Sequence, residues 1–222
     1  MKRRFIAIII PVISLLTSCA KNNLRSDIVN FIASFSIDLA IENYPVASYT
    51  REDISIENDV TSKVIKKMSI NRADKNDLAY DYQEFTYENE IEKSNVHRYI
   101  EKNEEKYFYV TENDSFEKSK SQVNELIDSF FYTSSTEGIY TGGMFMGDAF
   151  REILPEIQDL VNIDSENKLL VYSYVNLMQD ENKEVKIEQT VTLDQYGMLV
   201  KEDLKKTSDL GVYETHIEVK KQ

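Results

Sequence analysis

The strongest constraint in this sequence is a two-residue rhythm. From Val46 to Asn113, and again from about Lys168 to Lys220, apolar and polar residues alternate in long runs. Val185, Ile187, Val191 and Leu193 fall in one phase; Lys186, Glu188, Thr190 and Thr192 fall in the other. Period-two alternation sends successive side chains to opposite faces of a strand. The runs predict strands over 46–57, 61–70, 77–88, 91–102, 105–112, 168–178, 184–193, 198–206 and 212–220. Turn-forming residues separate them: Asn58-Asp59, Asn89-Glu90, Asn103-Glu104, Asp180-Glu181-Asn182, Asp194 to Gly197, and Ser208 to Gly211. Consecutive strands with short connections form antiparallel meanders. Strands 105–112 and 168–178 are apolar in both phases. Tyr107, Phe108, Tyr109 and Val110 carry the first; Leu169, Val171, Val175 and Leu177 oppose Leu170, Tyr172, Tyr174 and Met178 in the second. Such strands are expected beneath the helices, covered on both sides.

Three stretches change to a helical period. Ile28, Phe31, Ile32, Phe35 and Leu39 share one face of a predicted helix over 26–42. Asn113-Asp114-Ser115 offers a cap for a second, running to Tyr132, with Phe116, Val123, Leu126, Ile127 and Phe130 on one side. A glycine-rich loop, 133–147, leads to a third, with Phe150, Ile153, Leu154, Ile157 and Val161 inward and Pro155 kinking or dividing it. The fold class expected is α+β: one curved antiparallel sheet of about nine strands, a half-barrel, with helices packed on one face. No point suggests a division of residues 26–222 into domains.

The N-terminus follows a different logic. Lys2-Arg3-Arg4 precede an apolar run from Phe5 to Leu16, then Thr17, Ser18 and Cys19. This is the layout of a secretory signal, and the run falls short of the ~20 residues of a membrane-spanning helix. Leu16-Thr17-Ser18-Cys19 resembles a bacterial lipobox. The resemblance implies a signal peptide at 1–18, diacylglyceryl transfer to the Cys19 thiol, and cleavage before it. Residues 19–25 would be the lipidated Cys and a tether. The expected location is the cell membrane, lipid-anchored through acylated Cys19, on the extracytoplasmic side. Cys19 is the only cysteine, so acylation leaves the body without thiols.

Composition excludes several classes. The net charge of −13, from 26 basic and 39 acidic residues, does not suit a chain that neutralises nucleic-acid phosphates. One Cys and two His cannot build a Cys/His zinc cluster. Gly142-Gly143 lacks the Lys-Ser/Thr end of a phosphate loop. Glu84, Glu88, Glu90 and Glu92 lack the spacing and central Gly of a calcium loop. His97 and His216 lie in predicted strands with no nucleophile motif, and are expected at the surface. No enzyme activity, cofactor or metal is expected.

A lipobox, an N-terminal helix, a long meander, a helical insert and a closing meander together resemble the LolA/LppX-like lipoprotein fold, shared by many uncharacterised Gram-positive lipoproteins. A similar C-terminal hairpin is Val191-Thr192-Leu193-Asp194-Gln195-Tyr196-Gly197-Met198-Leu199. The resemblance implies a half-barrel around helices with an apolar cavity, binding a hydrophobic or amphipathic ligand such as lipid. The chain holds 14 Tyr and 10 Phe, in clusters. Tyrosine, apolar in body and polar at its tip, suits a partly wet cavity wall. Tyr107, Tyr109, Phe130, Tyr172 and Tyr174 are the expected lining, with Met144, Phe145 and Met146 as a lid. The alternative is an envelope protein-interaction module whose core is filled and whose acidic face meets a basic protein partner.

Overall fold

The computed structural model describes residues 24–132, 134–136, 139–141, 143–180 and 183–221; for 134–136, 139–141, 178–180 and 183 it describes the backbone alone. The lipobox and Cys19 lie outside the described residues.

The chain begins with two short helices, α1 (Ser26–Ile32) and α2 (Ile37–Asn43), where the periodicity predicts one. Ser36 breaks it: its extended backbone and its hydroxyl, accepting from the Leu39 N–H, start a new helix. The break drives Phe35 into the core, 3% exposed. Arg151 donates to the exposed carbonyls of Ile32 and Phe35 at the end of α1.

Four long strands follow: β1 (Val46–Glu57), β2 (Val60–Asn71), β3 (Ala79–Glu88) and β4 (Ile91–Asn103). Their hairpin residues Asn58, Asp59, Asn89 and Glu90 all have positive φ, the condition for the two-residue turns that match strand twist. After β5 (Lys106–Val110) the chain turns through Thr111, whose N–H donates to the Asp114 carbonyl at 2.9 Å, into β6 (Ser115–Lys118). Asn113-Asp114 is therefore a hairpin turn and not the expected helix cap. The cap is Ser119, in a reciprocal capping box with Gln122, and α3 spans Lys120–Asp128.

Within the loop that follows, β7 (Ser134–Thr136) and β8 (Ile139–Thr141) pair with each other. Helix α4 (Gly147–Ile157) carries Pro155 inside and tightens into a 3-10 turn, Gln158–Leu160. Val161 then opens β9 (Val161–Asp164) and does not continue the helix. Strands β10 (Leu169–Asp180), β11 (Lys183–Asp194), β12 (Leu199–Ser208) and β13 (Gly211–Lys221) close the chain.

Eleven strands form one antiparallel sheet in the order β6-β5-β4-β3-β2-β1-β13-β12-β11-β10-β9. The count exceeds the expected nine because the short edge strands β6 and β9 come from segments that read as helix. Neither edge strand pairs with the other, so the sheet is open. Neighbouring strands lie ~4.8 Å apart, so a flat sheet of this size would exceed any single small core. Yet Tyr107 and Tyr109 of β5 share one buried cluster with Leu170 and Tyr172 of β10. The sheet must therefore curve around its helices. Helix-side residues Ile28, Phe35, Val123, Leu126, Ile127, Phe130, Phe150 and Leu154 pack into that cluster against one sheet face. Every described residue of the cluster and its margin lies between Leu24 and Val219.

β10 departs from expectation. Leu170 and Tyr172 point inward, but Val175 and Leu177 on the outer face are 66% and 61% exposed. Its second apolar face is not covered.

Candidate functional site

The strand registers divide the inner face in two. On each central strand, inward positions are apolar at one end and polar at the other. Along β1, Ala47 and Tyr49 give way to Arg51, Asp53 and Ser55; along β2, Ile70 and Met68 give way to Lys66. Tyr80 and Tyr82 precede Glu84 on β3; on β13, Val219 and Ile217 lie beyond Thr215 and Tyr213. The apolar ends belong to the helix-packed cluster. Arg51, Asp53, Lys66, Glu84, Gln189, Glu202, Tyr213 and Thr215 do not. They share the inner face at the end of the curved sheet where the β1–β2, β3–β4 and β12–β13 hairpins turn, a polar strip called the trough below, in which Glu202 and Thr215 are buried and the others half-buried.

The floor holds three hydrogen-bonded groups. Asp53 accepts from Arg51 Nε at 2.8 Å and Nη2 at 3.0 Å, from the Thr215 hydroxyl at 2.7 Å and from the Tyr213 hydroxyl at 3.1 Å. Glu84 accepts from the Tyr82 hydroxyl at 2.6 Å and lies 3.7 Å from Lys66 Nζ. Glu202, 4% exposed, accepts from the Gln189 side-chain amide at 2.8 Å. Burial would push the Asp53 carboxyl up, but the bonds from Arg51, Thr215 and Tyr213 overcome it and hold it below the usual carboxylate range. At Glu202 burial wins over Gln189 and Arg51, and the carboxyl is pushed up. Burial also pushes the Tyr49 hydroxyl, at the boundary between the two halves, up to about 12. Half-buried Val64, Ile187 and Leu204 sit on the same floor between the charges. The trough thus presents alternating donors and acceptors interrupted by apolar side chains.

Past Glu84, the inward residues Val96 and Arg98 of β4 continue the floor. They border a cavity of about 330 Å³ completed by Tyr109, half-exposed Phe116 and residues 111–114. A second cavity, about 250 Å³, lies at the other end of β5 and is lined by Asn76, Tyr107 and charged residues including Lys102, Glu105 and Lys120. Among the described residues no group of three or more His, Cys, Asp and Glu side chains is placed to hold a metal ion. His97 and His216 are half-exposed on the outer face, 2.7 Å from Asp81 and 2.8 Å from Asp203.

The residues expected to line a cavity are mostly buried, Tyr107 and Tyr109 also bordering the two cavities at the ends of β5. Tyr107, Tyr109, Phe130, Met144 and Tyr172 are at most 8% exposed. Phe130 lies 6.0 Å from Tyr49 and 5.3 Å from Phe131, ring to ring; Tyr172 lies 6.4 Å from Phe150. Tyr174 stacks on Tyr172 at 6.2 Å and stands where the core meets the trough. The Met144-Phe145-Met146 segment is a clamped connection. Its N–H groups donate to the carbonyls of Phe130, Phe131 and Gly197, and the Leu199 N–H donates to Met144. A lid motion would break all four bonds. Sequence reasoning missed the polar floor, although its signal is present: the inward phase of four successive pairing strands switches from apolar to polar midway.

The sequence matches no protein-family model and no curated protein. Two solved structures show slight similarity. One is a β-barrel-like protein of the domain of unknown function DUF1849 from Brucella abortus, with 6% identity over 80% of this chain and 98% of that chain, at a TM-score of 0.25. The other is a domain of a proposed outer membrane lipoprotein-sorting protein from Vibrio parahaemolyticus, with 11% identity over 84% of this chain and 92% of that chain, at a TM-score of 0.21. Likenesses this slight assign neither fold nor function.

Proposed function

We propose that this chain is a membrane-tethered, extracytoplasmic binding protein without enzymatic activity, and that it holds an amphipathic ligand in the trough. The observation that carries the reading is the division of the inner face: helices pack on its apolar end, while its other end carries half-buried Arg51, Asp53, Lys66 and Glu84 beside buried Glu202 and Thr215. Arg51, Lys66, Gln189 and Tyr213 would meet the ligand's polar group. Tyr174, Ile187, Leu204 and Val64 would meet its apolar part. The floor's polar groups hold one another, as a recognition surface does, and are not set around a nucleophile. The tether would be acylated Cys19, tested by labelling with a fatty-acid precursor in a bacterial host: Cys19→Ser should abolish the label.

The ligand test uses residues 24–222, purified from a bacterial host, extracted with organic solvent and analysed by mass spectrometry beside an intact native mass. A stoichiometric lipid-like adduct, lost in an Arg51→Ala/Lys66→Ala variant of unchanged circular dichroism, supports the trough. An empty protein that takes up neither added lipid nor apolar dye refutes it. A second reading has its own support: Tyr107, Tyr109, Phe130, Met144 and Tyr172 fill a core. On that reading the chain is an envelope interaction module with a basic partner, and its binding would weaken steeply with salt.

A further inference from the structure

Among the described residues, one edge of the sheet is neither blunted nor covered. β9 pairs with β10 only from Leu169 to Tyr172, after which the chain leaves through the 3-10 turn. From Ser173 onward β10 is hydrogen-bonded on the β11 side alone among the described residues. An unpaired strand edge is a template for another strand, and proteins guard against pairing with edge charges, prolines or bulges. The opposite side of the sheet shows such a guard. There β5 pairs with β4 only from Tyr99 to Asn103, and the stretch Ile91 to Arg98, which β5 does not reach, carries Glu92, Lys93 and Arg98. Ser173 to Gln179 carries no charge, in a chain where 29% of residues are charged. The same stretch exposes Val175 and Leu177, at 66% and 61%, on the outer face. Their neighbours across β11, Glu188 and Lys186, do not cover them.

We infer that this edge pairs with its counterpart in a second copy of the chain, β10 against β10, antiparallel about a two-fold axis at Asn176. The segment is self-complementary in that register. Val175 comes opposite the partner's Leu177 and Leu177 opposite the partner's Val175, at the 4.5–5.5 Å typical of directly opposed residues. Four aliphatic side chains then form one strip on the outer face, and the unpaired backbone groups from Ser173 to Gln179 satisfy their counterparts, with Asp180 turning aside from Tyr172, which β9 already pairs. The two sheets become one. A second copy also fits electrostatically. The chain carries a net charge of −13, so two copies approach with least repulsion at a neutral segment. Added salt, by screening the remaining repulsion, strengthens this contact. That dependence is opposite in sign to docking of a basic partner on an acidic face.

The test is sedimentation velocity on residues 24–222 at concentrations up to ~100 μM (a contact of ~5 kcal/mol). It is run in about 0.15 M and about 1 M salt, where the Debye lengths are ~8 and ~3 Å. A dimer whose population rises with salt is expected, and Val175→Lys should weaken it at least ~tenfold. Because Cys19 is the only natural cysteine, this fragment has none, and introduced thiols report the register. Asn176→Cys lies opposite its own twin and should form a disulfide-linked dimer on mild oxidation. Ser173→Cys lies ~20 Å from its twin along the paired strands and should not. If Val175→Lys fails to fold, the cysteine pair decides alone. A chain monomeric in both salts, a dimer indifferent to Val175→Lys, or cross-linking of Ser173→Cys as fast as Asn176→Cys would each overturn the inference.

Discussion

Phe130→Ala separates a packed core from a ligand-filled one. Phe130 follows α3, is fully buried, and carries its ring against Tyr49 of β1 and Phe131. A buried Phe removes ~150–250 Å² from water. Losing most of that at ~25 cal/mol per Å² costs about 4 kcal/mol, and the hole left behind keeps the figure within the ~3–5 kcal/mol typical of Phe→Ala in rigid cores. Against a total stability of ~5–15 kcal/mol this is a large fraction, equivalent to a fall of roughly 6–20 °C in Tm for a domain of this size. The chain lacks Trp, so urea unfolding of residues 24–222 is best followed by far-UV circular dichroism beside tyrosine fluorescence. A midpoint shift at unchanged m-value is expected. If Phe130 instead lined a cavity, its ring would face ligand or void and its truncation would cost little. A loss below ~1 kcal/mol, with stronger uptake of apolar dye, refutes the packed-core argument.

Three further outcomes follow from local geometry. Glu202→Gln keeps an acceptor for Gln189 but removes a charge that burial disfavours. The native Glu202 carboxyl has a raised pKa, so its contribution is favourable below the unfolded value of 4.5 and is lost as pH rises through the native value. The variant should therefore be more stable than wild type at pH 7, and the advantage should vanish in acid; urea midpoints across pH measure it. Ser119→Ala removes the hydroxyl half of the capping box on α3, while the backbone N–H of residue 119 still donates to the Gln122 side chain, and should cost ~1 kcal/mol, read by the same unfolding assay. Gly197 has φ +86°, and an added Cβ would lie 3.0 Å from the Gly147 Cα and 3.1 Å from the Phe35 ring. Gly197→Ala should cost at least ~1 kcal/mol, and an unchanged melting temperature would contradict the packing of that turn against α4.

The alternation in the sequence was sufficient for the long strands because one face of each is core and the other is wet, and a two-residue period has no other explanation. It failed where a short segment had too few residues to show a period. Ser115 to Lys118 joins the sheet because a turn at Asn113-Asp114 delivers it beside β5. Val161 to Asp164 joins because the chain tightens into the turn Gln158–Leu160 and leaves it extended at Val161. Propensity cannot anticipate either event, since both depend on where the preceding element points. The clustered aromatic residues lie inside, but composition cannot distinguish a wall from a core. That distinction depends on how deeply α3 and α4 sit in the sheet, which is set by contacts such as Phe130 on Tyr49 and Phe150 on Tyr172.

The polar floor is a stability cost that the fold does not require. Buried Glu202 and half-buried Gln189 lie on neighbouring strands, between half-buried Leu204 and Ile187 and the apolar core. Replacing a buried polar pair by apolar residues of similar volume is commonly neutral or stabilising. A sequence shaped only for folding would have carried the apolar phase of β1, β2, β3 and β13 to the ends of the strands and covered it with longer helices. Here the helices stop and the phase changes together, on four strands that meet only in the folded sheet. Coordinated departures from the pattern that stabilises the rest of the molecule are expected at sites retained for function. On this ground the trough, more than the aromatic clusters legible in the sequence, is where a ligand should be sought.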